Sequence, residues 1–187
     1  MFGRSFQLSL IGLILLYLQL CSGRCPSHCD SNVKNFDLSE LAGRWYVVAA
    51  SPVRHTVNTC IYFDIVVIGP NTFSMNFTSA SYPNARTFSW SVVGLKTGNK
   101  LSELWQMNGS PNIFGPFFQK LLAMDTNSYC ALITCTDHNP TMYRDSFGMV
   151  LSRAKRLVDA DLLSMKEKIS YYINETEIVD VPNLCWK

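Results

Sequence analysis

Charge is scarce in this chain. Asp, Glu, Lys and Arg make up 16% of its 187 residues and nearly cancel, leaving a net charge of +2. A disordered chain or a coiled coil needs far more charge, so both are excluded. Basic runs are missing too. The densest is Arg153, Lys155 and Arg156, too few for a surface that tracks nucleic-acid phosphates. Histidine is limited to His28, His55 and His138, in the lead-in and in loops, and reads as solvated. No Gly-x-Ser-x-Gly motif accompanies them, which leaves little for a hydrolase. What is abundant is apolar: 48% of residues are hydrophobic and 12% are aromatic. The length suits one domain with its own core. Much of the chain can be buried, in a core or around something apolar.

The N-terminus reads as an address. Arg4 precedes an apolar stretch from Phe6 to Leu20, and Cys21, Ser22 and Gly23 supply small residues after it. A basic start, a short apolar centre and a small-residue end make a secretory signal peptide over 1–23. A membrane anchor would need roughly 20 clean apolar residues. The expectation is a soluble, secreted, extracellular domain over 24–187, with no transmembrane segment. Six cysteines remain in it: Cys25, Cys29, Cys60, Cys130, Cys135 and Cys185. In an oxidising compartment they read as disulfides in any of fifteen connectivities. Neither close pair has the spacing of a zinc knuckle, so no metal is expected, and no cofactor. Sequons at Asn76-Phe77-Thr78, Asn108-Gly109-Ser110 and Asn174-Glu175-Thr176 agree with export and require exposed asparagines.

Eight short apolar segments begin at Arg44, Cys60, Thr72, Arg86, Leu101, Pro116, Ser128 and Ser146. Turn chemistry such as Gly69-Pro70-Asn71 and Asp125-Thr126-Asn127 separates them. Eight strands at near-regular spacing without intervening helices predict an all-β antiparallel sandwich or barrel. Phe73, Met75 and Phe77 alternate with Ser74, Asn76 and Thr78, and Phe88, Trp90 and Val92 alternate with Ser89 and Ser91. Period two puts each apolar set on one face. A glycan on Asn76 would require that face to point inward, so two signals give one register. One helix follows the last strand. It starts at Asp159 or Asp161, with Leu162, Leu163, Met165, Ile169, Tyr172 and Ile173 on its apolar side.

Gly43-Arg44-Trp45-Tyr46 opens the first strand, after Asn35-Phe36-Asp37-Leu38. Phe147-Gly148-Met149-Val150-Leu151-Ser152-Arg153 closes the eighth, just before the helix. With the cysteine placement, this order resembles the lipocalin family, and most closely its apolipoprotein D-like branch, which includes insect and crustacean pigment carriers. The resemblance covers the chain from Cys25 to Cys185. It implies an eight-stranded up-and-down barrel with one C-terminal helix outside, and Gly43, Trp45 and Arg153 as structural residues, with Arg153 over the Trp45 indole. The family's Thr-Asp-Tyr motif falls on Met124-Asp125-Thr126, where only Asp125 matches. The branch's bridges imply Cys60–Cys185 and Cys25–Cys135. Cys29 and Cys130 depart from that pattern and would form a third bridge by default.

If Cys60 faces outward to meet the tail, then Ile61, Phe63 and Ile65 face inward. Arg153 pointing in brings Phe147, Met149 and Leu151 with it, and Trp45 brings Val47 and Ala49. The candidate ligand-binding set is therefore Val47, Ile61, Phe63, Phe73, Met75, Phe77, Phe88, Trp90, Phe147 and Met149, with no inward charge. Met149 stands out because the aligned position contributes to the pocket in the apolipoprotein D-like branch. An interior of Phe and Met suits a flexible apolar guest, so the expected function is a non-enzymatic carrier of a fatty acid, sterol, retinoid or similar lipid. The alternatives are a bilin or carotenoid carrier, a thiol-dependent isomerase using Cys130, and an interaction module. In the last, open-end loops (Ser51–Thr59 and Asn112–Phe118) would meet a receptor or membrane surface.

Overall fold

The computed structural model describes residues 33, 36–51, 58–81, 87–98, 100–107, 113–136 and 147–185. Eight strands form as the segmentation predicts: β1 (Gly43–Ser51), β2 (Asn58–Gly69), β3 (Thr72–Ser81), β4 (Thr87–Thr97), β5 (Lys100–Met107), β6 (Ile113–Asp125), β7 (Tyr129–Thr136) and β8 (Phe147–Ser152). Each pairs antiparallel with its sequence neighbours, and β1 pairs with both β8 and β2, which closes the sheet into a barrel. Closure leaves few sheet edges exposed. Helix α1 (Asp159–Ser170) and a two-residue strand β9 (Val179–Asp180) follow. Among the described residues, no helix is long and apolar enough to cross a membrane.

Alternation decides which side chains go inside. On β2, Phe63 and Ile65 are buried while Val66 and Ile68 are exposed. On β3, Phe73 and Met75 are buried while Asn76 is exposed. Register carries that assignment across strands, because directly opposed residues share a face. Met75 lies opposite Ile65 and Val92, and Phe77 opposite Phe63 and Trp90. The sequon at Asn76 and the inward Phe73, Met75 and Phe77 thus fall on opposite faces of one strand.

β1 breaks the alternation. Its register against β8 shifts between Val47 and Ala49. Trp45 and Val47 pack in the interior cluster, whereas Val48 and Ala49 both pack in the cluster beneath the helix. Ala49 therefore does not follow Trp45 inward as simple alternation predicts, and Ala50 takes its place against the interior cluster. An extra residue in one strand bends it and strengthens its twist. Pairing of β1 with β2 accordingly runs only over Gly43–Tyr46, and the C-terminal tail fills the remaining seam. The Val181 amide donates to the Val48 carbonyl at 2.9 Å. Asn183 spans the gap, its Nδ2 donating to the Val47 carbonyl at 2.7 Å and its Oδ1 accepting from the Ile61 amide at 3.2 Å. The Cys60–Cys185 disulfide, 125 residues apart in sequence, fastens the tail there.

Helix α1 lies outside the barrel against β6, β7, β8 and β1. Met165 and Ile169, with Ile173 beyond the helix, bury against Val48, Leu122, Ile133 and Val150. Asp159 and Asp161 in the first turn and Lys168 in the last complement the helix dipole. The helix starts at Asp159, but the residue preceding it, Val158, offers no side-chain cap. Leu163, expected on the apolar side, is 65% exposed, because the contact is the narrow stripe through Met165 and Ile169. Gly148 sets how closely the helix approaches: a Cβ there would lie 2.4 Å from Ile169 Cγ2. Gly148→Ala should push the helix off the sheet and cost about 1–3 kcal/mol in urea unfolding.

Candidate functional site

The barrel floor is built around Trp45, which is fully buried. Its indole N–H, costly to bury unsatisfied, donates to the Leu41 carbonyl at 2.8 Å. Leu41 ends a 3-10 turn (Leu38–Leu41) that Asp37 and Glu40 close with a capping box. The Arg153 guanidinium lies 3.7 Å from the centre of the Trp45 ring, which shields the indole face from water. It also donates to four carbonyls: Nη2 to Glu40 at 2.8 Å, Nη1 to Ala42 at 2.8 Å and Arg44 at 3.2 Å, and Nε to Thr126 at 3.1 Å. Gly43 is needed beside it. Its φ of +96° lies in the left-handed region, and a Cβ there would sit 3.2 Å from Arg153 Nη1. The expected structural trio of Gly43, Trp45 and Arg153 is thus one assembly.

Above the floor the walls are apolar. Phe63 and Phe77 pack with ring centres 5.1 Å apart. The Phe73 ring covers Gly94 on the neighbouring strand, where a Cβ would lie 2.1 Å from Phe73 Cζ. A cavity of about 20 Å³ remains among Phe63, Phe73, Met75, Leu121, Leu132 and Met149, room for one or two water molecules. The lower barrel is close to filled, and its most deformable walls are the unbranched side chains of Met75 and Met149.

Cys130 lines this cavity, fully buried and unpaired. The expected third bridge to Cys29 is therefore absent. Cys130 faces the interior beside Leu132 and Leu151, and Cys29 lies outside the described residues. Burial pushes the Cys130 thiol up to about 12, against a weaker downward pull from Arg153. A nucleophilic cysteine needs the opposite shift, so this thiol does not suit an isomerase.

The interior is not free of charge. Glu103 on β5 is 1% exposed and lines the cavity, as does Gln119 on β6. Gln119 Nε2 donates to Glu103 Oε2 at 2.9 Å. Gln119 lies directly opposite Thr134 on β7, so those two share the interior face. Among the described residues, Thr134 Oγ1 is buried without a hydrogen-bond partner, and so is Ser79 Oγ, two residues beyond Phe77 on β3. Hydropathy misses all four residues. The available signal is spacing: Glu103 lies two residues from Leu101, and Thr134 two from Leu132, both interior apolar positions.

Of the residues expected to line a ligand site, Phe63, Phe73, Met75 and Met149 surround the cavity. Val47 and Ile61 belong to the same interior cluster, and Phe77 and Phe147 pack against it half-buried. Trp90 is half-buried toward the mouth. Phe88 is 50% exposed, because it sits two residues beyond Trp90 at the start of β4, where the wall ends. Asn76 and Asn174 are exposed. Cys25, Asn108, the three histidines, the side chain of Cys135, residues 52–57 and Asn112 lie outside the described residues; the rest of the expected open-end stretch Asn112–Phe118 is not a loop but the start of β6, and Ser51 and Asn58–Thr59 belong to β1 and β2. Alkylation at pH 8 followed by mass spectrometry should leave Cys130 unmodified in the folded chain and modify it after unfolding. Because the thiol ionises near 9 when unfolded and near 12 when folded, stability should also fall as pH rises through that window.

No family model matches the sequence, and no curated protein does. Solved structures do. The amine-binding protein of Rhodnius prolixus in its tryptamine complex superimposes with a TM-score of 0.68 at 13% identity, over 86% of this chain and 87% of that one. Insecticyanin from the tobacco hornworm Manduca sexta gives 0.66 at 19% identity, over 85% and 86%. Lobster apocrustacyanin A1 gives 0.59 at 17% identity, over 77% and 78%. Eight antiparallel strands closed around Trp45, with a single helix outside and this backbone likeness, make the chain's architecture the lipocalin fold.

Proposed function

We propose that this chain is a secreted carrier of a small hydrophobic molecule held inside the barrel. One observation carries the reading: an apolar interior encloses a few polar groups, Glu103 and Gln119 among them. A core that served stability alone would do as well or better with hydrocarbon there, whereas a binding site combines an apolar lining with a few placed polar groups. The existing cavity is too small for a lipid, so a guest enters by displacing Met75 and Met149 toward the mouth. Their thioether chains can re-pack at low cost. Each CH2 the guest buries contributes about 0.8 kcal/mol. The similarity to a lipocalin-fold protein in complex with tryptamine supports a small-molecule cargo.

Export belongs to the same proposal. Removal of 1–23 would leave the domain to mature in an oxidising compartment, where the Cys60–Cys185 bridge is stable. Exposed Asn76 and Asn174 are positioned for glycans, and the Asn174 Oδ1 already accepts from Thr176 Oγ1 at 3.0 Å. The resemblance to insect and crustacean pigment carriers favours a bilin or carotenoid as a second choice of cargo. Colour in protein from its natural source would mark that case.

Purified mature protein should quench its tryptophan fluorescence on titration with at least one of a fatty acid, a sterol, a retinoid or a bilin. Met149→Trp, which fills the space, should weaken that binding about tenfold or more. A protein that binds none of them, and carries no small molecule from its source by native mass spectrometry, is not a carrier.

A further inference from the structure

We infer that a glycan on Asn76 covers an apolar face on the outside of the barrel. The inference rests on the export reading and gives that modification a task. Helix α1 packs over the outer side of β6, β7, β8 and β1. The outer side of β2 to β5 has no such cover among the described residues. Five aliphatic side chains stand out there, Val66 and Ile68 on β2, Val93 and Leu95 on β4 and Leu104 on β5, each between 45% and 59% exposed. Register joins them. Val66 lies opposite Ser74, Ser74 opposite Val93, and Val93 opposite Leu104, so one row crosses four strands on a single face. Ile68 and Leu95, two residues along from Val66 and Val93, widen it.

Asn76 is the next outward residue of β3 after Ser74, and it is exposed. Its direct neighbours are Asp64 and Ser91. Val66 and Val93 sit diagonally from it, about 7–8 Å away in an antiparallel sheet. Ser91 Oγ donates to Asn76 Oδ1 at 3.5 Å, which occupies the oxygen of the amide and not the nitrogen that takes the sugar. An exposed apolar face of this size invites association. Its few hundred Å2 fall short of the about 800 Å2 per partner that a stable dimer buries. A sugar fits the face better. Pyranose rings can lay their C–H groups on the aliphatic side chains, while their hydroxyls meet Ser74, Ser102 and water.

The full chain, expressed in a eukaryotic host that glycosylates, tests this by hydrophobic-interaction chromatography. Peptide mapping should find sugar on Asn76. Val93→Ser with Leu104→Ser should shift retention at least about threefold more in an Asn76→Gln background than in the glycosylated chain, because the sugar hides those side chains. Asn174→Gln, which removes a sugar elsewhere, should leave the effect of the pair unchanged. Equal shifts with and without the Asn76 sugar overturn the cover. A glycosylated chain that forms a dimer split by the pair assigns the face to a second copy and overturns it too. Sugar on Asn174 but not on Asn76 overturns the cover while export stands, whereas a chain retained unglycosylated in the cell overturns both. Enzymatic removal of the sugar from the folded Asn174→Gln chain should raise retention as well, and decides the matter if the Asn76 variant does not fold.

Discussion

The Arg153 guanidinium holds the floor together, and the rest of the barrel depends on that closure. It joins segments that the sequence separates by more than a hundred residues: the 3-10 turn through Glu40 and Ala42, β1 through Arg44 and Trp45, and the β6–β7 turn through Thr126. A planar fork with five N–H donors can meet several carbonyls and still lie flat on an indole, which an ammonium cannot do. That assembly covers the fully buried Trp45 indole at this end of the barrel. The interior can then be dry enough for apolar walls to dominate.

The opposite half of the barrel is closed by different means. The bulge at Val48 carries β1 away from β2, and a fold that stopped at eight strands would leave a slot there. The chain fills it with its own tail: two residues of β9, the amide of Asn183 and the Cys60–Cys185 bridge. The same bulge turns Val48 and Ala49 outward together, which widens the apolar seat for the helix. One extra residue thus shapes both the seam and the helix contact.

Inside, the physical tension is between filling and holding. Phe73 over Gly94 and the methionines nearly fill the lower barrel, while Glu103, Gln119 and Thr134 bring polar atoms into it. Burying a carboxylate is costly unless other groups solvate it. Gln119 supplies part of that solvation. Cys130 shares the space as a neutral thiol and behaves there as a small hydrophobe.

Alternation on β2 and β3, the helical apolar stripe and turn residues between short segments were enough to specify the strand count, the inward face and the outer helix, while the floor of Trp45 and Arg153 followed from the resemblance to the lipocalins. These signals are local, because a pleated strand has period two and a turn needs particular residues. Ala49, Leu163, Cys130 and Glu103 were decided elsewhere. A bulge is invisible to a rule that assumes unbroken alternation, and the exposure of Leu163 follows from the narrow contact stripe through Met165 and Ile169. Cys130 looked like half of a disulfide until its neighbours proved to be Leu132 and Leu151. Hydropathy places a glutamate in water. Gln119 meets Glu103 from the next strand, and that partnership exists only once the sheet has formed.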